Sequence, residues 1–281
     1  MKFTKMHALG NNYIYVSTFD TKLPNVGLAD LSRVVSDVRH GIGADGLILI
    51  QPSTVADVGM RIFNADGSEA ESCGNGLRCV AKYAYENRLV VESQFSIETK
   101  GGIVQANVQV LPNGLAGMIT IDMGVPKFGP ESIVYTGHDT DGDDVVIEVD
   151  GIRYVGSVVN IGNPHWVTVV DDVDDEFVRR VGPKVESDEV FPERINVEFV
   201  SVLNPKEIDF RVYERGSGVT FACGTGACAS VAALIRKGFV GDRVTVHLLG
   251  GDLEIEQSKD GRILMTGEAV TVADGNFHWP A

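Results

Sequence analysis

Positive charge and long apolar runs are both scarce in this sequence. Of its 281 residues, 24 are Lys or Arg and 39 are Asp or Glu, which gives a formal net charge of −15 at pH 7. Nucleic-acid binding needs a concentrated basic stripe, and the few cations here form none. No stretch approaches the roughly 18 consecutive apolar residues that a membrane-spanning helix requires. We therefore expect a soluble protein that binds neither nucleic acid nor a membrane.

A secretion signal is also missing, and cysteine is rare. The opening stretch MKFTKMHALGNNYIYV lacks the apolar block and the small-residue cleavage site of a signal peptide, so we expect a cytoplasmic protein. The four cysteines are Cys73, Cys79, Cys223 and Cys228. In the cytosol, cysteines are more commonly thiols, catalytic groups or metal ligands than members of a disulfide framework.

Two of these cysteines stand in the same motif, once in each half of the chain. ESCGNGLRC around Cys73 and FACGTGACA around Cys223 both contain Cys-Gly-x-Gly. The two motifs are 150 residues apart, and at the same offset Arg-Ile-Phe at 61–63 aligns with Arg-Val-Tyr at 211–213. A Gly-Asn pair followed by a strand-like pattern also recurs, in LGNNYIYV and IGNPHWVTV. The two halves therefore read as duplicated domains.

Hydrophobic periodicity predicts what each domain contains. Short alternating runs such as GLILIQ and EIDFRVYE predict strands throughout. After each Cys-Gly-x-Gly, an alanine-rich stretch (77–89 and 227–239) predicts a helix that starts at the cysteine and is apolar around most of its circumference. We predict an α/β (α+β) fold of two pseudo-symmetric domains, each with a mixed, mainly antiparallel sheet curled around one central helix. The predicted domains are 1–122, to which about 269–281 returns, and 123–268.

The acidic residues gather in two runs, GHDTDGDDVVIEVDG at 137–151 and DDVDDEF at 171–177. Runs of like charge are usually solvated because burying them would cost their hydration. We interpret these two runs as solvated loops and a solvated helix start rather than as binding sites.

A cysteine at a helix start has a chemical use. The unpaired backbone N–H groups and the positive end of the helix dipole stabilise a thiolate and can bind a carboxylate. A single nucleophilic cysteine would need a histidine base, whereas two equivalent cysteines indicate symmetric chemistry. If the domains face each other across a cleft, one thiolate removes a proton from a carbon while the other thiol delivers one from the opposite side. Such a reaction inverts a stereocentre.

The cysteines also have alternative interpretations. Cys79 and Cys228 lie inside the predicted helices on apolar patterns, which favours core packing. Zinc fits poorly, because Cys73 and Cys79 have five residues between them, more than the two to four that are usual for zinc ligands. Cys223 and Cys228 have four between them, but no histidine lies near either pair. A redox pair would usually show Cys-x-x-Cys, which the sequence lacks. We therefore expect no metal and no cofactor.

Six segments together resemble the diaminopimelate epimerase family of pyridoxal-independent enzymes. They are MHALGNNYIYV, GIGADGLILI, FNADGSEAESCGNGLRC, GNPHWV, ERINVEFV and YERGSGVTFACGTGACA. The resemblance implies a homodimer with its active site in the cleft between the two domains. It also implies interconversion of LL- and meso-diaminopimelate without a cofactor, in lysine and peptidoglycan-precursor biosynthesis.

The resemblance also implies a role for individual residues. Cys73 and Cys223 match the acid and base of the family, and His165 and Glu214 match groups that tune the thiol pKa values. The backbone amides expected to hold the reacting carboxylate are those of Gly74, Asn75, Gly224 and Thr225. The side chains expected to bind the rest of the substrate are Asn11, Asn64, Asn163, Asn196, Glu214 and Arg215. Glu214 is expected to face the distal ammonium, and an arginine suits a carboxylate because its planar fork offers two parallel donors.

Two positions depart from the family pattern. Gly46 stands where some members carry a glutamine that reaches the substrate, so Gly46 could contribute only its backbone. Asn12 replaces the aspartate that is common after the Gly-Asn pair, which puts a charge-dependent role at this position in doubt.

Two other functions fit part of this pattern. Proline and hydroxyproline racemases also use two cysteines, but they resemble CGHG at the first site and lack the ERG run before the second. Asn75 and the pair Glu214-Arg215 therefore favour diaminopimelate. A non-catalytic amino-acid-binding protein of the same ancestry would not need both cysteines, so their presence counts against it.

Overall fold

The chain folds as two compact units in a computed structural model that describes residues 1–70 and 73–279. The first unit comprises residues 1–122 together with the C-terminal segment that begins at Thr266, and the second is Met123–Met265. Residues 71 and 72 of the first cysteine motif, and 280 and 281 of the predicted returning segment, lie outside the described residues.

The first unit contains most of the N-terminal strands and two helices. Its elements are β1 (Lys2–Ala8), β2 (Asn11–Ser17), α1 (Leu28–Ser36), β3 (Gly46–Gln51), β4 (Val58–Asn64), β5 (Glu69–Ala70), α2 (Gly74–Glu86), β6 (Gln94–Thr99), β7 (Gly102–Val110) and β8 (Ala116–Asp122). The second unit begins with β9 (Lys127–Phe128), a 3-10 turn (Pro130–Ser132), β10 (Thr140–Asp141), β11 (Asp144–Val149), β12 (Ile152–Asn160), β13 (Pro164–Val169) and α3 (Asp175–Glu186). It continues with β14 (Asn196–Asn204), β15 (Glu207–Glu214), β16 (Gly218–Val219), α4 (Gly224–Arg236), β17 (Arg243–Leu248), β18 (Gly251–Gln257) and the start of β19 (Ile263–Gly267). Strand β20 (Val270–Asn276) returns to the first unit.

Strand pairing follows the same plan in both units. In the first, β20, β1, β2, β3, β4, β6, β7 and β8 pair in that order, and only β2–β3 and β4–β6 are parallel. In the second, the run from β11 through β15 to β17 and β18 has parallel pairs only at β13–β14 and β15–β17. Each parallel pair needs a crossover, and helices supply it: α1 and α3 at the first, α2 and α4 at the second. The predicted mixed, mainly antiparallel fold is confirmed.

Helices cover the central strands of each unit on both sides. Helix α2 packs against β1 to β4, β7 and β8 and is buried along most of its length. Helix α1 packs on the opposite side, where Leu31 and Val35 join a core with Ile14 and Leu47. Because both faces are covered, β3 is apolar without alternation, as the sequence GLILI shows.

The cysteine helices are slightly shorter than predicted. A helix begins directly after each cysteine, as expected, but α2 ends at Glu86 and α4 at Arg236. Asn87 and Lys237 follow as C-caps whose N–H groups bond back to the last turn, so the predicted ends at 89 and 239 were too late.

The two acidic runs differ from each other in structure. The run at 171–177 does contain a helix start, because Asp174 caps α3 by accepting the N–H groups of Glu176 and Phe177. The run at 137–151 is only partly a loop. Its second half forms strand β11, whose alternate residues Val145 and Ile147 are buried against Trp166. The prediction of a solvated loop there was wrong because the apolar residues alternate with the acidic ones.

None of the helices within residues 1–70 and 73–279 is long and apolar enough to cross a membrane.

The packing of Trp166 in the second unit gives a testable constraint. The indole is fully buried and donates Nε1–H to the carbonyl of Val145 at 3.0 Å. A Cβ at Gly156 would lie 2.2 Å from ring atom Cε2, so Gly156→Ala should lower the free energy of unfolding by about 2 kcal/mol in urea denaturation. Gly241→Ala is the control, because its Cβ would meet only a carbonyl oxygen at 3.6 Å and should cost less than about 0.5 kcal/mol. Equal losses in the two variants would contradict this packing argument.

Candidate active site

Cys73 is the N-cap residue of helix α2. Its backbone is extended, with φ −148° and ψ 112°, and its sulfur accepts a hydrogen bond from the N–H of Gly76 at 3.4 Å. The thiol is partly exposed and donates to Oδ1 of Asn11, with 3.6 Å between the two atoms. The sulfur thus takes the capping position that a serine or aspartate oxygen occupies in most helices.

Cys223 repeats this arrangement at the start of α4. Its φ and ψ are −114° and 100°, and its sulfur accepts the N–H of Gly226 at 3.4 Å. Oγ1 of Thr225 lies 3.6 Å from the sulfur. Unlike Cys73, Cys223 is buried. The duplicated motif therefore encodes the same cap geometry twice, in two different surroundings.

The second glycine of each motif lets the helix start approach the sheet. A Cβ at Gly76 would lie 2.8 Å from Cδ1 of Ile48, and a Cβ at Gly226 would lie 2.8 Å from Oε1 of Glu198. A side chain at either position would therefore displace the end of the Ile48 or Glu198 side chain from its present place. The Cys-Gly-x-Gly spacing thus joins a sulfur cap to a close contact between helix and sheet.

Asn11 and Asn12 share one carboxylate, that of Asp45. Oδ2 of Asp45 accepts from Nδ2 of Asn11 at 3.0 Å and from the backbone N–H of Asn12 at 2.8 Å. Nδ2 of Asn12 also reaches it, at 3.2 Å. The negative charge that Asn12 cannot supply is therefore present nearby, on a residue that the sequence reasoning did not single out.

Asn75 turns its side chain inward. It is buried, and its Oδ1 accepts a hydrogen bond from Nη2 of Arg78 at 2.9 Å. The side chain of Arg78 is itself fully buried, and its Nε donates to the carbonyl of Glu268 at 3.2 Å. The Asn75 side chain is thus held inside the protein, and ligand binding by the backbone amides of Gly74 and Asn75 stays a prediction.

Gly46 and Asn64 occupy paired positions on β3 and β4. A Cβ at Gly46 would lie 2.2 Å from the carbonyl oxygen of Phe63, so no side chain fits there. Nδ2 of Asn64 donates to Oγ of Ser68 at 3.0 Å. Gly46 is thus explained by packing, and a ligand contact from its backbone stays a prediction.

A chain of buried and partly buried polar groups leads to Cys223. Nδ1 of His165 lies 2.7 Å from Oε1 of Glu198, and its Nε2 lies 2.8 Å from Oδ1 of Asn163. Nδ2 of Asn163 donates to Oγ1 of Thr225 at 3.3 Å, next to the sulfur. His165 and Glu198 are fully buried. His165, Asn163 and Thr225 were expected in the site, whereas Glu198 was missed even though it lies in the motif ERINVEFV.

The surroundings of Cys223 oppose its ionisation. Burial raises the pKa of the Cys223 thiol well above its ordinary value, and Glu214 and Glu198 raise it further when they are ionised. Hydrogen bonds from Thr225 and from the N–H of Gly226 act in the opposite direction. Burial also raises the pKa of Glu214, although hydrogen bonds from Thr220 and Cys223 partly offset this rise. Cys223 therefore favours the thiol form.

Asn196 and Arg215 lie together at the end of β15. Nδ2 of Asn196 donates to the carbonyl of Pro164 at 2.8 Å, and its Oδ1 accepts the backbone N–H of Arg215 at 3.0 Å. The Arg215 side chain is exposed, and its Nη1 donates to the carbonyl of Glu193 at 3.2 Å. Asn196 thus holds the backbone that presents Arg215, and direct contact of either side chain with a ligand stays a prediction.

The other two cysteines are packing residues. Cys79 and Cys228 are fully buried inside α2 and α4, as predicted. Burial raises the pKa of Cys79 to about 12, which keeps it a thiol at neutral pH. In the part of the chain that the structure describes, no group of three or more His, Cys, Asp or Glu side chains could hold a metal ion.

Comparison with known proteins identifies relatives along nearly the whole chain. The family model for diaminopimelate epimerase matches residues 3–129 and 157–272. A diaminopimelate epimerase from Geobacillus thermodenitrificans is 52% identical over 282 residues, covering 99% of this chain and 96% of the relative. A diaminopimelate epimerase from Bacillus cereus is 50% identical over 283 residues, with coverages of 99% and 97%.

Solved structures with lower sequence identity share the fold. A hydroxyproline epimerase from Agrobacterium vitis has a TM-score of 0.70 at 17% identity, covering 98% of this chain and 91% of its own. An epimerase predicted in Pseudomonas aeruginosa has a TM-score of 0.70 at 16% identity, covering 99% of both chains. The fold is thus common to several epimerases, whereas the family model and the 52% identical relative are specific. The chain belongs to the diaminopimelate epimerase family.

Proposed function

We propose that this protein interconverts LL- and meso-diaminopimelate without a cofactor and that Cys73 and Cys223 act as its acid and base. Family membership supports the substrate. The observation that carries the mechanism is the repeated cap: each cysteine sulfur accepts a helix N–H at 3.4 Å, in corresponding positions of two repeated units. A single-base enzyme would need only one such cysteine.

The reaction requires both sulfurs to reach one α-carbon of the substrate. A thiolate removes the α-proton, and the electron pair of the broken C–H bond moves toward the neighbouring carboxylate. The other thiol then delivers its proton to the opposite face of the carbon, which leaves the configuration inverted and the roles of the two sulfurs exchanged. Backbone N–H groups at the helix starts, at Gly74, Asn75, Gly224 and Thr225, suit the carboxylate because the first turn of a helix directs its N–H donors outward at the positive end of the helix dipole.

Glu214 and His165 are proposed to tune Cys223. The raised pKa of the Cys223 thiol, which burial and Glu214 both favour, suits the group that delivers a proton. His165 acts from further away, through Asn163 and Thr225. Asymmetry between the two cysteines is useful here, because each turnover must begin with one thiol and one thiolate.

The rest of the substrate is proposed to contact side chains from both units. Asn64, Asn163, Asn196 and Arg215 are the proposed ligands of the distal end, Glu214 of its ammonium, and Asn11 of a further polar group. The exposed guanidinium of Arg215 can give a carboxylate two parallel hydrogen bonds. A homodimer in the cytoplasm, working in lysine and peptidoglycan-precursor synthesis, completes the proposal.

The function is tested with LL-diaminopimelate, reductant and no added cofactor. The wild-type enzyme should form the meso isomer, and Cys73→Ala and Cys223→Ala should each abolish inversion, because neither sulfur can serve both faces of the carbon. Cys228→Ala is the matched control, since it removes a fully buried thiol from the same helix as Cys223. Absence of meso product from the reduced wild-type enzyme would rule out the function, and normal epimerisation by either of the first two variants would rule out the mechanism.

Isotope labelling separates a two-base from a one-base mechanism. In a single turnover in D₂O, the product should carry deuterium at the inverted carbon, because the donating thiol has already exchanged with solvent. Substrate recovered early should keep its protium. Appreciable transfer of protium from substrate to product, measured by mass spectrometry, would indicate one base that swings between the two faces.

Glu214→Gln should lower the pKa of Cys223, because it removes a negative charge that raises that pKa. At a fixed pH below the wild-type pKa, more Cys223 is then thiolate. Iodoacetamide should therefore alkylate Cys223 several-fold faster in the variant, and the midpoint of the pH profile should move to lower pH. Alkylation of Cys73, quantified in the same digests, is the internal control. A midpoint that moves to higher pH would remove Glu214 as a pKa-tuning group.

A further inference from the structure

Glu198 is a buried acidic residue that the reaction described above does not use directly. It lies in β14, its side chain is fully buried, and its Oε1 is 2.7 Å from Nδ1 of His165. Its Oε2 is buried and has no hydrogen-bond partner among the residues that the structure describes. An ionised carboxylate with one oxygen left in this state is costly, because that oxygen loses its hydration without compensation.

The hydrogen bonds of His165 define where its protons lie. Asn163 donates its Nδ2 to Oγ1 of Thr225, so its carbonyl oxygen Oδ1 faces the imidazole. A carbonyl oxygen only accepts, and therefore Nε2 of His165 carries a hydrogen. Nδ1 then has two possible states. It either accepts a hydrogen bond from the O–H group of a neutral Glu198 or, in an imidazolium, donates an N–H hydrogen bond to a Glu198 carboxylate.

The surroundings of Glu198 favour the neutral acid. The titratable groups that face it are His165 on β13, Glu214 on β15 and Cys223 at the start of α4. Glu214 and Cys223 become negatively charged when they ionise, and none of the three is a permanent cation. Burial raises the pKa of Glu198, although His165 opposes this rise. With the acid neutral, the oxygen without a partner is only a carbonyl.

We propose that Glu198 is a neutral carboxylic acid that keeps its proton, donates an O–H hydrogen bond to Nδ1 of His165 and so acts as a positioning residue for Cys223. With Nδ1 accepting, Nε2 of His165 donates to Asn163, and Asn163 donates to Thr225. Since Oγ1 of Thr225 already accepts from Asn163, its own hydrogen points to the sulfur, 3.6 Å away.

Every donor in this chain is directed toward Cys223. A thiolate accepts a hydrogen bond more strongly than a thiol does, so the chain stabilises the thiolate that Cys223 must form in one half of each catalytic cycle. It does so without placing a second fixed negative charge beside the sulfur. The catalytic consequence depends on the proposed epimerase function, whereas the state of Glu198 does not.

The protonation state is tested by infrared difference spectroscopy of the wild-type protein against Glu198→Gln at neutral pH. The wild-type minus variant spectrum should contain the C=O band of a protonated carboxyl group. If the carboxylate bands are lost instead, Glu198 is ionised and the proposal is wrong. This measurement needs no substrate, so its outcome is independent of whether the protein is an epimerase.

The positioning role is tested by comparing Glu198→Gln with Glu198→Leu. Glutamine keeps an N–H donor for Nδ1 and cannot ionise. Both kcat and the rate of Cys223 alkylation at each pH should therefore stay within about threefold of the wild-type values. Leucine keeps the bulk but removes the donor. It should lower kcat about tenfold or more, with KM little changed, and should move the alkylation midpoint of Cys223 to higher pH.

Three outcomes would overturn the role. Equal damage in the two variants would mean that the carboxylate itself is required. If the alkylation midpoint of Cys223 in Glu198→Leu lies at lower pH than in wild type, Glu198 acts on Cys223 as a negative charge. If neither variant changes kcat or the midpoint, Glu198 does not act on Cys223.

Thr225→Val removes the last donor of the chain. Adding Glu198→Leu to Thr225→Val should therefore shift the Cys223 alkylation midpoint little further. Should Glu198→Leu fail to fold, the glutamine variant and the infrared spectrum still decide the protonation state.

Discussion

The hydrogen bond from a helix N–H to a cysteine sulfur is the interaction on which both cysteine motifs depend. It requires the cysteine to sit at the N-cap with extended backbone. Gly76 and Gly226, which donate these hydrogen bonds, have no Cβ, so each helix start packs closely against the side chains of Ile48 and Glu198. Cap, glycine and buried helix are therefore one structural unit.

The same cap is placed in two different electrostatic settings. In the first unit, Asn11 accepts from Cys73 while its own amide is held by Asp45. In the second, carboxyl groups lie beside Cys223, and a histidine reaches it through two intervening side chains. Duplication preserved the backbone geometry, whereas the neighbouring side chains diverged. A reaction that needs an acid and a base at once benefits from that difference, because identical settings would give both sulfurs the same protonation state.

Sequence reasoning succeeded where a local pattern determines the structure. The buried helix after each cysteine follows from an apolar run that continues around the helix, and the role proposed for the cysteines came from their repetition. It failed where tertiary contacts decide. Strand β11 was hidden by its acidic residues, and α1 was not anticipated. The interactions of Glu198 and Asp45 do not follow from a local pattern, because their partners are distant in sequence. One signal was present: Glu198 is a lone charge within an apolar strand.

The pairing of β1 with β20 has a consequence for how the protein is made. These strands join residues 2–7 to residues 270–276, so the edge of β1 has no partner from its own sheet until β20 leaves the ribosome. The second unit is continuous in sequence and is fully synthesised before that point. All strands of the second unit are therefore synthesised before the last strand of the first unit, although the first unit is the N-terminal one. The Cys223 half of the molecule can mature while the Cys73 half still waits for its final strand.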